Sequence, residues 1–310
     1  MSSILDKIRQ LGDLDLAILA SLISNQHCLC STAVKEIPYL RSDLLKSCTE
    51  TFGLETVAFE CSGKTTVDEF NEFVLIGSSN DPSLDPSHAN HTNGYSKGKK
   101  IADVIIATGL DLAPLNVQVQ SIELLRTRTL VTTTSSHVAP EEFLFIAVLS
   151  TPTARLNPHL NDLFAISYFH EAGDLGKATA IKFTPDEIDS LRDNVQEVRI
   201  TAEVRQYLHN IAVFMRLSRY VKGGVTAAST NHLRSLASAL APLHGLDYIS
   251  PSLVELAAKK VYPHRLILAT VESERSMQWG SNPRAVRDLL DGIDVDDVIE
   301  LVLESVEPPI

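Results

Sequence analysis

The chain holds only four cysteines, at positions 28, 30, 48 and 61, all in its first fifth. No CxxC pair and no matched pair of histidines accompanies them, so neither a disulfide framework nor a zinc site is indicated. Cys28 and Cys30 sit in the apolar run HCLC, where a free thiol behaves as a small hydrophobe. Positive charge is also scarce. Lys and Arg number 27 against 39 Asp and Glu, a formal net charge of −12, which argues against a general affinity for nucleic acid or an anionic membrane. No apolar run approaches the roughly 20 residues that span a bilayer. The opening residues MSSILDKIRQ carry charges where a secretory signal needs an apolar core, so the expectation is an intracellular, reducing compartment, cytoplasmic or nuclear. The GxSxG, HExxH and kinase signatures are missing as well. Glycine is absent between Gly12 and Gly53.

What is present is the composition of a soluble globular protein, 44% hydrophobic and 21% charged over 310 residues, with room for one large domain or two ordinary ones. One basic concentration stands out. Arg205, Arg216, Arg219, Lys222 and Arg234 lie close together in sequence, and a solvated helical face is the simplest reading of them.

The patterning divides the chain. Ser2 to Asn25 predicts two short helices, the second (LDLAILASLIS) apolar on more than one face and therefore buried. A strand at His27 to Cys30 follows, then a helix near Tyr39 to Phe52 closed by Gly53. Thr56 to Cys61 is strand-like, and Thr66 to Ile76 reads as a helix with Thr66 and Glu69 in a capping box. Residues 77–100 contain one large aliphatic side chain, Leu84, and predict a mobile loop. His88 and His91 fall in that loop and, with His137, have no carboxylate framework, so solvent-exposed histidines and no metal are expected.

From Ile101 to Leu175 strands at Val104–Ala107, Phe143–Leu149 and Ala165–Phe169 interleave with a helix. Continuously apolar strands of this kind indicate a parallel sheet covered by helices on both faces. After Gly176 helices are predicted from Thr184 (capping box with Glu187), over Thr201–Arg219, Ser229–Leu243, Ser250–Val261 with Ser250 as N-cap and Pro251 at N1, and Val295–Val306. The fold class expected is α/β, residues 1–176, followed by an all-helical part, residues 177–310.

Three places could carry chemistry. Ser62-Gly63-Lys64-Thr65-Thr66 lies between a strand and a helix, the context of a phosphate-binding loop. Its first-glycine position is Ala58, however, and Phe59 and Glu60 lie inside the would-be cradle, leaving Lys64 and Thr65 as a weak phosphate site. The strand Val104–Ala107 ends on Thr108 and Gly109, where a nucleotide hydrolase carries carboxylates. Arg155, His159 and Asp162 follow the next buried strand, where open α/β sheets gather ligands. For Arg155, His159 and Asp162, loop hydrogen bonding and helix capping are the simpler reading.

With the elements in this order, the chain resembles the MoxR branch of the AAA+ ATPases, kin of the magnesium-chelatase I subunit. The likeness is strongest in GLDYISPSLV, VYPHRL and the terminal VEPP of the helical part. It extends to ADVIIATGLDLAPLNVQVQSIELL, similar to the family's Walker B strand and following helix, and to FLFIAVLSTP, similar to its sensor 1 strand. Only the loop at 77–100 and an insertion around Val271 to Leu290 fall outside it. The resemblance implies an AAA+ core followed by a helical lid, and it assigns the catalytic positions. HCLCSTAVKEIPYLRSDLL stands at the P-loop without a glycine, Thr108 and Gly109 at the Walker B acids, and Ser150 at sensor 1. Leu163 stands at the arginine finger and Asn231 at the sensor 2 arginine. A finger alone is worth roughly 10³–10⁵ in rate. The reading implied is a catalytically degenerate scaffold or assembly factor with no catalytic residue and no cofactor. Its expected partner is another protein, an AAA+ relative or copies of itself, and neither nucleic acid nor membrane. The alternative is an active ATPase or chelatase-like motor that binds ATP and magnesium at a nonstandard site using Lys64.

Overall fold

The computed structural model describes residues 2–77, 99–133, 135–150, 154–171 and 181–309. The loop expected at 77–100 therefore lies almost wholly outside the described residues, as do His88, His91 and the expected boundary at 176/177.

Five strands form the central parallel sheet: β1 (His27–Thr32), β2 (Thr56–Glu60), β3 (Val104–Thr108), β4 (Leu144–Ser150) and β5 (Phe164–Phe169). Their spatial order is β2-β3-β4-β1-β5. Every residue of β3 is buried, and β4 is buried through Leu149, which is why both read as unbroken apolar runs. Their register aligns Glu60 with Thr108 and Thr108 with Val148, so the carboxyl ends of β2, β3 and β4 finish together.

Around these strands run α1 (Ser2–Ile8), α2 (Asp13–Ser24), α3 (Ile37–Lys46), α4 (Val67–Val74), α5 (Leu115–Thr127) and α6 (Pro158–Asn161). They are followed by α7 (Pro185–Glu197), α8 (Ala202–Leu217), α9 (Ala227–Leu243), α10 (Pro251–Val261), α11 (Pro283–Leu290) and α12 (Val295–Ser305). Both expected capping boxes form, at Thr66 with Glu69 and at Thr184 with Glu187, and a third is present at Asp294 with Asp297. Each such cap is worth about 1 kcal/mol. Ser250 caps α10 ahead of Pro251 as expected. The helix expected to run to Phe52 stops at Lys46 and continues as a wider turn over Ser47–Thr51. The segment 271–290, expected to be an insertion, contains α11 and a short helical turn, Arg275–Trp279.

Contacts gather the chain into two units. Residues 30–163 and 169–183 make an α/β unit, and residues 1–29, 164–168 and 184–310 make a helical unit. The N-terminal helices thus cluster with the later half of the chain. The reason is α2, whose Leu14, Ile18, Leu19, Leu22 and Ile23 are buried and which packs on α7 and α9. A 2.6 Å ion pair from Lys7 to Glu187 joins α1 to α7. Among the described residues no helix is long and apolar enough to cross a membrane.

Candidate functional site

The carboxyl edge of the sheet is where this strand order places a ligand, because neighbouring strands there lead off in opposite directions. Strand β1 ends at Thr32, and only residues 33–36 separate it from α3. Those residues wind into a tight turn, Val34–Glu36, closed by a 2.9 Å bond from the Glu36 amide to the Ala33 carbonyl. Pro38 occupies the first turn of α3 and removes an amide donor there, while Glu36 caps the helix without a side-chain bond. A phosphate cradle needs successive free amides and positive potential at a helix start. Here the amides are few and a carboxylate sits beside them. Thr32 is tied down by its own bond, donating its hydroxyl to the His170 carbonyl at 3.0 Å.

At the end of β3, Thr108 is buried and its hydroxyl has no hydrogen-bond partner among the described residues. Gly109 has φ +67°, and its amide donates to the Val148 carbonyl at 3.0 Å. A Cβ at Gly109 would stand 3.0 Å from the Cys61 carbonyl oxygen. The backbone at Gly109 has therefore turned into a left-handed conformation that, with Cys61 so close, disfavours a long side chain such as glutamate. Gly109→Glu is expected to destabilise the chain by about 2 kcal/mol or more, with no ATP hydrolysis gained. Gly109→Asn, which tolerates the left-handed region, should cost clearly less. Urea denaturation of both variants beside an ATPase assay tests this, and a Gly109→Glu protein of unchanged midpoint refutes it.

The Lys64–Thr65 segment lies at the end of β2, the edge strand, with β3 and β4 between it and β1. Three strand spacings of roughly 4.8 Å separate the two ends by about 14 Å. The segment is a closed turn in its own right. The Thr65 hydroxyl accepts from the Ser62 amide at 2.9 Å, and the Thr65 amide donates to the Ser62 carbonyl at 3.1 Å. Lys64 is exposed. The local field is negative: the buried Cys61 thiol is pushed up to about 12 by burial, then by Asp111 and Glu60. Burial also raises Asp111 itself. Glu60 and Asp111 thus bear on Cys61, just before the Ser62–Thr65 turn.

The remaining positions are dispersed. Ser150 and Leu163 are half-buried, and Asn231 is exposed on α9. Arg155 and His159 are exposed and Asp162 is half-buried. Arg155 donates to the Ala154 carbonyl at 2.9 Å, and the His159 amide donates to the Asn157 side chain that caps α6. Asn157 is anchored in turn by Gln118 of α5, whose side-chain oxygen accepts from its amide at 2.9 Å. Helix capping thus accounts for the order of this segment. Among the described residues no group of His, Cys, Asp or Glu is placed to hold a metal.

Sequence reasoning missed a polar knot in the helical unit, although the VYPHRL motif contains its signal. The Phe164 carbonyl, at the start of β5, accepts from His264 Nε2 at 2.9 Å and from the guanidinium of Arg265. Arg265 is 3% exposed and also donates to His232 Nδ1 at 2.6 Å. Burial, followed by the Arg265 charge, lowers His264 to about 3, so its ring is neutral.

Comparison with known proteins agrees with this architecture. Residues 214–289 match the family model described as the AAA lid domain, so the segment expected to be an insertion around 271–290 falls almost wholly within the matched lid. A crystal structure of a Cytophaga hutchinsonii protein assigned to the ATPases matches 100% of this chain and 94% of its own, with TM-score 0.70 and 12% identity. A full-length MCM homolog from Methanopyrus kandleri matches over 82% of this chain and 56% of its own, with TM-score 0.51 and 14% identity. Among curated proteins, Maintenance of telomere capping protein 2 of Lachancea thermotolerans is 23% identical over 159 residues, 49% of this chain and 54% of that one. The chain spans about half the length of the curated relative it matches. The fold is AAA+-like: a five-stranded parallel sheet with helices, followed by a helical lid.

Proposed function

We propose that this chain is an AAA+-like protein whose nucleotide site has closed, and that it serves as a protein-interaction scaffold or assembly factor of MoxR or magnesium-chelatase type. The observation that carries the reading is the link from β1 to α3. Four residues, a tight turn, Glu36 and Pro38 occupy the place where the fold family wraps phosphate. Gly109, with φ +67° and the Cys61 carbonyl oxygen 3.0 Å from where its Cβ would stand, adds a second obstacle, to a glutamate there. Without a cradle and a metal-holding acid, little phosphoryl-transfer stabilisation remains. Exposed apolar side chains suit contact with protein instead. Val34 and Tyr39 flank the closed turn at 66% and 62% exposure, and Leu112, Leu115 and Val119 present an apolar strip leading into α5.

Isothermal titration calorimetry of the full chain with ATP and Mg²⁺ tests the reading. No magnesium-dependent binding is expected, and no turnover. Micromolar, magnesium-dependent ATP affinity would overturn it. Turnover that disappears in Lys64→Ala would replace it with the nonstandard ATPase reading.

A further inference from the structure

The basic concentration noted in the sequence resolves into two parts. Arg219 is neutralised by Glu274 at 3.2 Å. Arg216 and Lys222 instead meet Arg275, from the segment that leads into α11, around a cleft of about 220 Å³ in the helical unit. Gly223, Gly224 and Thr226 supply the rest of its polar wall. Among the described residues none of the three cations pairs with a carboxylate. The nearest acids in sequence are engaged elsewhere: Glu274 takes Arg219 and Ser276, and Glu272 is exposed and feels Arg287.

Arg216 is held rigidly. Its Nε donates to the Val225 carbonyl at 3.1 Å, and its Nη2 donates to the Thr226 carbonyl at 3.2 Å and to the Thr230 hydroxyl at 3.1 Å. Both hydrogens of Nη1 are left without a partner among the described residues. Arg275 donates to the Arg216 carbonyl, which brings its charge to the same wall. Tyr262, fully buried and with no hydrogen bond to its hydroxyl among the described residues, lies within the field of Arg216. The start of α9, capped by Thr226, adds the partial positive charge of a 17-residue helix. In a chain of net charge −12, three cations gathered without a counter-charge repel one another until an anion joins them.

We propose that this cleft binds a small oxyanion of phosphate type, with Arg216 as the fixed donor and Lys222 and Arg275 closing over it. The volume is below the roughly 300–1,000 Å³ of pockets that enclose drug-sized ligands. Its lining also has no aromatic face on which a base could stack, so a nucleotide is a poor fit. The site does not rest on the closed nucleotide crevice and needs no metal.

The test is calorimetric titration of the full chain with inorganic phosphate at low ionic strength, repeated with O-phosphoserine, against Lys222→Ala, Arg275→Ala and the double variant. Both side chains are exposed, so these variants should fold, and circular dichroism checks that. Saturable binding is expected in the wild type, weakened at least tenfold in the double variant and by added sulfate. Tighter binding of O-phosphoserine would support the site and assign its ligand to a phosphorylated side chain; tighter inorganic phosphate would support it and assign the free ion. No saturable binding, or equal affinity in a folded double variant, overturns the proposal. Because the titration contains neither nucleotide nor Mg²⁺, its failure leaves the ATP experiment above untouched. In the converse direction, magnesium-dependent ATP binding that persists in the double variant belongs to the crevice.

Discussion

Gly224→Ala is expected to destabilise the helical unit by more than about 4 kcal/mol, a loss large enough to be diagnostic of one mechanism. At this position φ is +101°, and an added Cβ would lie 2.0 Å from the Arg265 carbonyl oxygen and 2.7 Å from its carbon. Those atoms are backbone, so no side chain can swing away. The approach is forced by a short antiparallel ladder, in which Val221 pairs with Leu268 and Gly223 with Ile267 across an irregularity. A bond of 2.8 Å from the Ala269 amide to the Tyr220 carbonyl continues it. Gly223→Ala is the matched control, since nothing lies within 4 Å of its Cβ position and its φ is outside the left-handed range. It should cost about 1 kcal/mol or less. Urea denaturation followed by far-ultraviolet circular dichroism compares the pair. Equal midpoints for the two variants would mean that the close approach is not maintained in solution.

Removing the side chain next to that contact should have the second largest effect. Arg265→Met keeps much of the volume but deletes charge-assisted bonds to the Phe164 carbonyl and to His232. Buried bonds of this kind contribute about 1.5–3 kcal/mol each, so a loss of about 3 kcal/mol is expected. The Phe164 carbonyl keeps its bond from His264, which limits the damage.

The same variant has a signature in acid. His264 titrates near 6.5 when unfolded and at about 3 when folded, owing to burial first and Arg265 second. Above pH 6.5 both states are neutral there and the group adds no pH dependence. Between 6.5 and 3 the unfolded chain takes up a proton that the folded chain refuses. Stability therefore falls with falling pH, by up to about 1.4 kcal/mol per unit. In Arg265→Met the burial remains and the neighbouring charge is gone, so the folded value rises toward 6.5 and this acid limb ends at higher pH. A histidine proton titration by NMR reads the change directly. An unmoved His264 would show that the guanidinium does not act on it.

Much of the fold was legible from local pattern. Thr66 with Glu69, Thr184 with Glu187, and Ser250 with Pro251 announced helix starts because capping involves residues only three or four apart. Buried β3 and β4 appeared as apolar runs because both faces of a parallel sheet are covered. The candidate site was legible only as a set of residue types. That Thr108 and Gly109 are not acids could be read directly, but the left-handed turn at Gly109, which resists a long side chain there, could not. Likewise Ser62–Thr66 had the right neighbours for a phosphate loop, and its remoteness from β1 depends on strand order, which no local window contains.

Sequence alone determined most strands of the sheet, most of the longer helices and several helix starts, since each follows from neighbours a few residues apart. Tertiary structure alone decided that α2 joins the later helices, that Arg265 is buried against the Phe164 carbonyl, and that Arg275 reaches Arg216 and Lys222. These pairings span tens to hundreds of residues, and they are selected by packing and backbone approach, as at Gly224, not by any preference of the local chain.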